Sequence, residues 1–156
     1  MEDYNALLES LKKEEDEIQF SEFSNETAYK VGTRLVEIGL KENKSITIDI
    51  SRNGQQLFHC ALPGTAADND EWIKRKIRVV NRFNHSSFYM GNYYKSKNST
   101  IAEKSLVSES EFAPHGGCFP IIIKNTGVIG TVTVSGLPQE EDHRLVVAVL
   151  REFVGK

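Results

Sequence analysis

Nine residues in this chain combine a reactive type with a spacing that lets them meet: Lys76, His85, His115, Gly116, Gly117, Ser135, Gly136, Asp142 and His143. His115-Gly116-Gly117-Cys118 joins an imidazole and a thiol through two glycines, which permit close backbone approach to a ligand or tight loop packing. Asp142-His143 stands in the first turn of a helical pattern that begins after Pro138. On a wheel of ~100° per residue, Asp142 and His143 lie over the buried arc of Leu145, Val146, Val149, Leu150 and Phe153. Helix-dipole preference accounts for Glu140 and Glu141 in that turn, but not for an inward Asp-His pair. The chemistries open to such a set are oxyanion binding, general base catalysis by His115 or His143 with Lys76 or Arg75 holding an anion, or a structural hydrogen-bond network. Cys118 beside His115 has the residue types of a nucleophile pair, yet nothing marks the thiol as activated, and a small core hydrophobe is the competing reading. No His-x-x-x-His or Cys-x-x-Cys spacing occurs, so no metal site is expected.

The elements that must position these residues follow from periodicity. Asp3 to Phe20 reads as an amphipathic helix with Leu7, Leu8, Leu11 and Ile18 as its stripe. Ser24 caps a second helix with Thr27 three residues on, and Ala28, Val31, Leu35 and Ile38 line it. Ile46, Ile48 and Ile50 then alternate with Thr47 and Asp49, and Asn53-Gly54 predicts a two-residue hairpin turn. That turn sets Ile48 opposite His59 and Asp49 opposite Phe58, which makes His59 a core histidine. Asp68 with Glu71 matches a D-x-x-E cap for a helix running to Phe83. There Trp72, Ile73, Ile77, Val79, Val80 and Phe83 form one arc and Arg75, Arg78 and Arg82 lie opposite. Lys76 falls inside the apolar arc, either snorkelling from it or reaching a pocket rim where it meets an anion.

His85 to Lys97 predicts a short helix or turn, and Lys95 to Ser110 an exposed connection. Its start, His85 to Gly91, mixes hydroxyls and aromatics and suits a ligand lip or a subunit interface. A second hairpin centred on Asn125-Thr126 brings Gly116 opposite Ser135 and Cys118 opposite Thr133. Its first strand contains Pro120, which belongs at a strand start or an edge. The loop 115–118 should therefore lie beside Ser135-Gly136, which feeds into Asp142-His143, with glycine N–H groups open beside a helix N-terminus where anions are favoured. The order gives an α+β fold: an antiparallel sheet of about five strands built from hairpins and flanked by helices, one domain over 1–156.

Composition bounds the rest. The chain has 156 residues, 39% hydrophobic and 26% charged, with net charge −3. These are globular values, and the weak negative charge argues against nucleic acid as the main partner. Two separated cysteines predict reduced thiols in the cytoplasm. The carboxylate-rich start has no apolar core of a signal peptide, and no apolar run approaches the ~20 residues of a membrane span.

Four ordered stretches carry a family resemblance: residues 68–76 (Asp-Asn-Asp-Glu-Trp-Ile-Lys-Arg-Lys), 85–91 (His-Ser-Ser-Phe-Tyr-Met-Gly), 115–117 (His-Gly-Gly) and 134–143 (Val-Ser-Gly-Leu-Pro-Gln-Glu-Glu-Asp-His). Together they resemble an uncharacterised protein family within the haem-degrading, GlcG/HbpS-like superfamily, over nearly the whole chain. Cys118 and Phe119 precede Pro120 here, one residue more than the superfamily's usual spacing. The resemblance implies a profilin-like sheet flanked by helices, homo-oligomers built from dimers, and, for the wider superfamily, binding of haem or another small ligand. Fold-level kinship does not carry a site, and the chain has no haem-attachment spacing. The expected function is a cytoplasmic homo-oligomeric domain binding a haem-like or other anionic metabolite near His115 and the last helix, with an assembly protein and a small-molecule enzyme as alternatives. The cofactor is unknown from sequence.

Overall fold

The structure, a computed structural model, describes residues 3–155. Ten elements follow in order: α1 (Tyr4–Glu17), α2 (Asn25–Lys41), β1 (Thr47–Arg52), β2 (Gln55–Ala61), α3 (Ala67–Phe83), α4 (Ser87–Ser96), α5 (Ile101–Ser105), β3 (Cys118–Ile123), β4 (Gly127–Ser135) and α6 (Gln139–Val154). The strands form one antiparallel sheet in the order β2-β1-β4-β3, so each hairpin contributes one inner and one edge strand. The sheet has four strands rather than five. The nearest thing to a fifth is a single parallel bridge, Phe20 to Ile123, where the Phe20 N–H donates to Ile122 O (2.8 Å) and the Lys124 N–H donates to Phe20 O (2.9 Å). It covers part of the outer edge of β3, the strand that holds Pro120.

Local chemistry explains most boundaries. The Ser24 hydroxyl accepts from the Thr27 N–H (3.1 Å), and Thr27 Oγ1 accepts from the Ser24 N–H (3.3 Å), a reciprocal cap for α2. Asp68 does not cap α3. Asn69 does part of that work, its Oδ1 accepting from the Ala66 N–H (3.0 Å), while Asp68 lies within the first turn. Helix α1 stops at Glu17, short of Phe20, which is needed at the sheet edge. The segment expected to be an exposed connection holds α5, capped by Thr100 and pinned by buried Ile101.

The first hairpin corrects the predicted register. Asn53 and Gly54 both have positive φ (52° and 83°), as the two-residue turn requires. Arg52 pairs Gln55 and Ser51 pairs Gln56, but a bulge then shifts the ladder, so Ile50 faces Phe58, Asp49 faces His59 and Ile48 faces Cys60. Without the bulge, Phe58 would sit on Asp49's face of the sheet and His59 among the isoleucines. A one-residue slip exchanges the faces, and the hydrophobic pattern decides the outcome. Phe58 thereby packs on α2 at Gly32, where any side chain would overlap its ring. The second hairpin also carries a bulge, between Ile121 and Ile122, but still pairs Cys118 with Thr133.

The sheet's two faces differ. Ile48, Ile50, Val132, Val134, Phe119 and Ile121 are fully buried with the stripes of α2 and α6 in the main core. The opposite face presents Thr47, Asp49, Ser51, Thr131, Thr133 and Ser135 as three cross-strand pairs, under α3.

Candidate functional site

The polar face of the sheet ends where β4 runs into α6, and there the site is built. Lys76, from the middle of α3, crosses to the sheet. Its ammonium donates to Val134 O (3.2 Å) and to Asp142 Oδ2 (3.2 Å). Lys76 is 3% exposed and Asp142 1%, so this is a buried ion pair. Asp142 Oδ1 accepts from the Leu137 N–H (2.9 Å). The carboxylate also engages the Gly136 N–H, one of the donors that were expected to be open to an external anion. Gly116 is likewise engaged, its N–H donating to Gln139 Oε1 (2.9 Å). Gly117, at φ 136°, lets the loop pass against Val134 O and the Lys76 ammonium, where a side chain would collide with both.

Burial dominates the electrostatics. It raises the Asp142 carboxyl from its ordinary 3.8 to about 6, against the opposing pull of Lys76 and the Leu137 and Gly136 N–H groups. Burial also lowers the Lys76 ammonium, which Asp142 only partly offsets. Both partners therefore shift toward neutrality, as expected where desolvation exceeds mutual attraction. His115 shifts down through desolvation and then through the charges of Lys76, Lys95 and Arg75, which favours the neutral imidazole.

Above this pair opens a cavity of about 290 Å³, walled by Asp68, Asn69 and Trp72 from α3, His115 from the loop, Ser135 and Gly136 from β4, and Leu137 and Gln139 at α6. His115 packs edge-on against Trp72, with ring centroids 5.4 Å apart. Because the amide oxygens of Asn69 and Gln139 already accept backbone N–H groups, their NH₂ groups are left as donors. The third Lys76 N–H is also uncommitted to Val134 or Asp142.

The structure thus brings together Lys76, His115, Gly116, Gly117, Ser135, Gly136 and Asp142. It places the other two histidines elsewhere. His143, 1% exposed, points away from Asp142 toward α1, where Nε2 contacts Glu14 Oε1 at 2.8 Å and the ring tilts over Phe88. The second oxygen of Glu14 accepts from Arg144 (2.7 Å). His85 Nδ1 contacts Glu15 Oε1 at 2.7 Å in a different cleft. Two adjacent α1 glutamates each hold one histidine. Neither glutamate was singled out, although on the α1 wheel Glu15 falls between Leu11 and Leu8, the same signal that marks Lys76, and Glu14 lies at the edge of that arc beside Leu7.

Other candidates resolve simply. Cys118 is fully buried and its thiol is pushed up to about 12 by burial, so it is no ready nucleophile. His59 is no core histidine. It spans Asp49 (3.2 Å) and Asp70 (3.0 Å), tying α3 to the first hairpin. Arg75 stacks over Trp72 at 4.3 Å from the ring centre, outside the cavity lining. Phe88 and Met90 are buried within the chain, and His85, Tyr89 and Met90 of the run at 85–91 line a cleft separate from the His115 cavity. Among the described residues no group of three or more His, Cys, Asp or Glu could hold a metal ion, and no helix is long and apolar enough to cross a membrane.

Comparison with known proteins agrees with this architecture. The family model described as haem degrading protein HbpS-like matches residues 23–151. A UPF0303 protein of Streptomyces coelicolor is 47% identical over 146 residues, spanning 94% of this chain and 92% of that protein. The crystal structure of Ybr137w protein is 40% identical with a TM-score of 0.87, over 95% of this chain and 87% of that one. A PduOC:haem complex, 14% identical with a TM-score of 0.63 over 78% and 90% of the two chains, shares the fold alone. The chain accordingly belongs to the HbpS-like haem-degrading protein family, with relatives in its uncharacterised UPF0303 branch.

Proposed function

We propose that this chain binds a small, acceptor-rich metabolite, a carboxylate or comparable oxyanion, in the cavity floored by Lys76 and Asp142. The observation that carries the reading is the buried ion pair itself. Burying a lysine and an aspartate costs several kcal/mol in general, and shifted pairs in clefts mark functional sites more often than chance. The free donors of Asn69, Gln139 and Lys76 select for an acceptor, and Trp72 with His115 supplies a flat wall. A rim carboxylate, Asp68, favours a ligand that also carries a donor, such as a hydroxy or amino acid.

Haem does not fit this cavity. A macrocycle needs two apolar faces, and here only Trp72 and Leu137 are apolar among mainly polar walls. The family resemblance supports a homo-oligomer, and the two free cysteines suit the cytoplasm.

A second reading, a small-molecule enzyme, draws support from the same residues. His115, held neutral, is the proton acceptor at the cavity wall, and Asp142 exchanges its proton near pH 6. An assembly protein with a purely structural polar cluster is the reading that remains if no ligand is found. Thermal unfolding against a panel of hydroxy, amino and dicarboxylic acids tests the proposal, since a ligand that binds the folded state raises Tm. The expected result is a rise for wild type that is lost in His115→Phe, a variant that keeps the contact with Trp72. Equal rises in both would place the ligand elsewhere.

A further inference from the structure

A second cavity, of about 400 Å³, opens between α3, α4 and α5 and shares no lining residue with the first. Its walls are aromatic: Phe83, Tyr89, Tyr93 and Tyr94, with Met90 beneath. Two polar features interrupt them. One is His85, whose Nδ1 meets the buried carboxylate of Glu15 at 2.7 Å, while the other Glu15 oxygen accepts from the Ser86 N–H at 2.9 Å. Glu15 is thereby fixed from two sides, and the imidazole is fixed in turn by stacking on Tyr89, with centroids 4.2 Å apart and planes at 19°. In the neutral ring a carboxylate on Nδ1 assigns the proton to that nitrogen and leaves Nε2 as the acceptor. The His85 side chain is 34% exposed, so a guest can reach it. The other feature is cationic. Lys104 lines the cleft, and the ammonium groups of Lys104 and Lys97 each lie 5.9 Å from the centre of the Tyr93 ring. Neither ammonium pairs with a carboxylate among the described residues.

Flat apolar walls, one acceptor and an unpaired cationic rim define a ligand class. We propose that this cleft binds a hydroxy-aromatic carboxylate, with its ring against Tyr89 and Tyr93, its hydroxyl donating to His85 Nε2 and its carboxylate at Lys104. The proposal does not rest on the His115 cavity. The Tyr94 hydroxyl, 2.7 Å from Ser105 Oγ, holds α5 against α4 and keeps Lys104 at the mouth.

The test is an NMR titration of the full chain with 4-hydroxybenzoate, benzoate and haemin. 4-Hydroxybenzoate should shift the amides of Tyr89, Tyr93 and Lys104, and benzoate, lacking the hydroxyl, should bind more weakly. Lys104→Met, an exposed change that leaves the fold intact, should weaken 4-hydroxybenzoate by about tenfold, the usual size of a lost charged hydrogen bond. His85→Phe should erase the preference over benzoate, whereas in His115→Phe the shifts of the Tyr89, Tyr93 and Lys104 amides should persist, because His115 lines only the other cavity. No shift in the cleft, or binding indifferent to Lys104→Met, would overturn the proposal. So would haemin binding, read by its Soret band, with no response to the phenolic acid, which would assign the cleft to a macrocycle.

Discussion

The two faces of the sheet use the same strands for opposite ends. On one, Ile48, Ile50, Val132 and Val134 meet the stripes of α2 and α6 in the main apolar core. On the other, their alternate neighbours Thr47, Asp49, Thr131, Thr133 and Ser135 are just as buried, under α3. Helix α3 is not held there by an apolar stripe alone, since Val79 clusters with Met90, Tyr94 and Ile101 rather than with the sheet. It is also held by Lys76 on Asp142 and by Asp70 on His59. The first face supplies stability by hydrophobic burial. The second spends some of it, since buried polar groups stabilise only when satisfied. A surface that costs stability to keep polar is where a binding site is expected, and the His115 cavity opens at its end.

The comparison can be broken first on its apolar side. Phe119→Ala removes a fully buried ring and should cost about 3–5 kcal/mol in denaturant unfolding. A loss below about 1 kcal/mol would mean that this face does not carry the fold. Next in size is His143→Ala, which leaves the buried Glu14 carboxylate with Arg144 alone. It should cost roughly 1–3 kcal/mol while ligand affinity at the His115 cavity stays unchanged. Affinity lost with stability intact would return His143 to the site.

Acid titration separates two buried carboxyls. Asp142 is raised to about 6, so the folded protein takes up its proton first, and this carboxyl favours the folded state increasingly as pH falls from about 6 toward 3.8. Glu14 behaves oppositely. Burial alone would raise it, but His143 and Arg144 outweigh burial and hold it below 4.5, so its contribution is present above that value and lost as pH falls further. Asp142→Asn should therefore remove a gain in stability, relative to wild type, between about pH 6 and 4. An unchanged pH profile there would show that Asp142 is ionised throughout. The smallest effect is expected from Thr47→Val. Thr47 Oγ1 is buried with no partner among the described residues, so losing it should be near neutral or slightly stabilising, within about 0.5 kcal/mol. A loss above 1 kcal/mol would reveal a bound water at that hydroxyl.

The hairpins, the inward Lys76 and the inward Asp142-His143 pair were legible because each rests on a local period. The placement of His59 was not, because one bulged residue reverses faces and turn geometry alone does not announce it. Nor was the parting of Asp142 from His143. Adjacent helical residues lie ~100° apart, so both can be inward yet face different neighbours, here α3 and α1. Glu15 and Glu14 lie 70 and 129 residues away in sequence from their partners His85 and His143, a pairing that only the assembled fold creates. Of the glycine N–H groups read as an anion site, those of Gly116 and Gly136 are real donors whose acceptors, Gln139 and Asp142, are internal.

The central claim is that the Lys76–Asp142 cavity receives a small oxyanion, and the chain's single tryptophan, Trp72, forms its wall. Trp72 fluorescence followed during titration with hydroxy and dicarboxylic acids reads that cavity directly. The account predicts a saturable change for at least one acid, weakened about tenfold or more in Lys76→Met, as befits a charged hydrogen bond. No saturable change with any acid, or one that Lys76→Met leaves untouched, would contradict it.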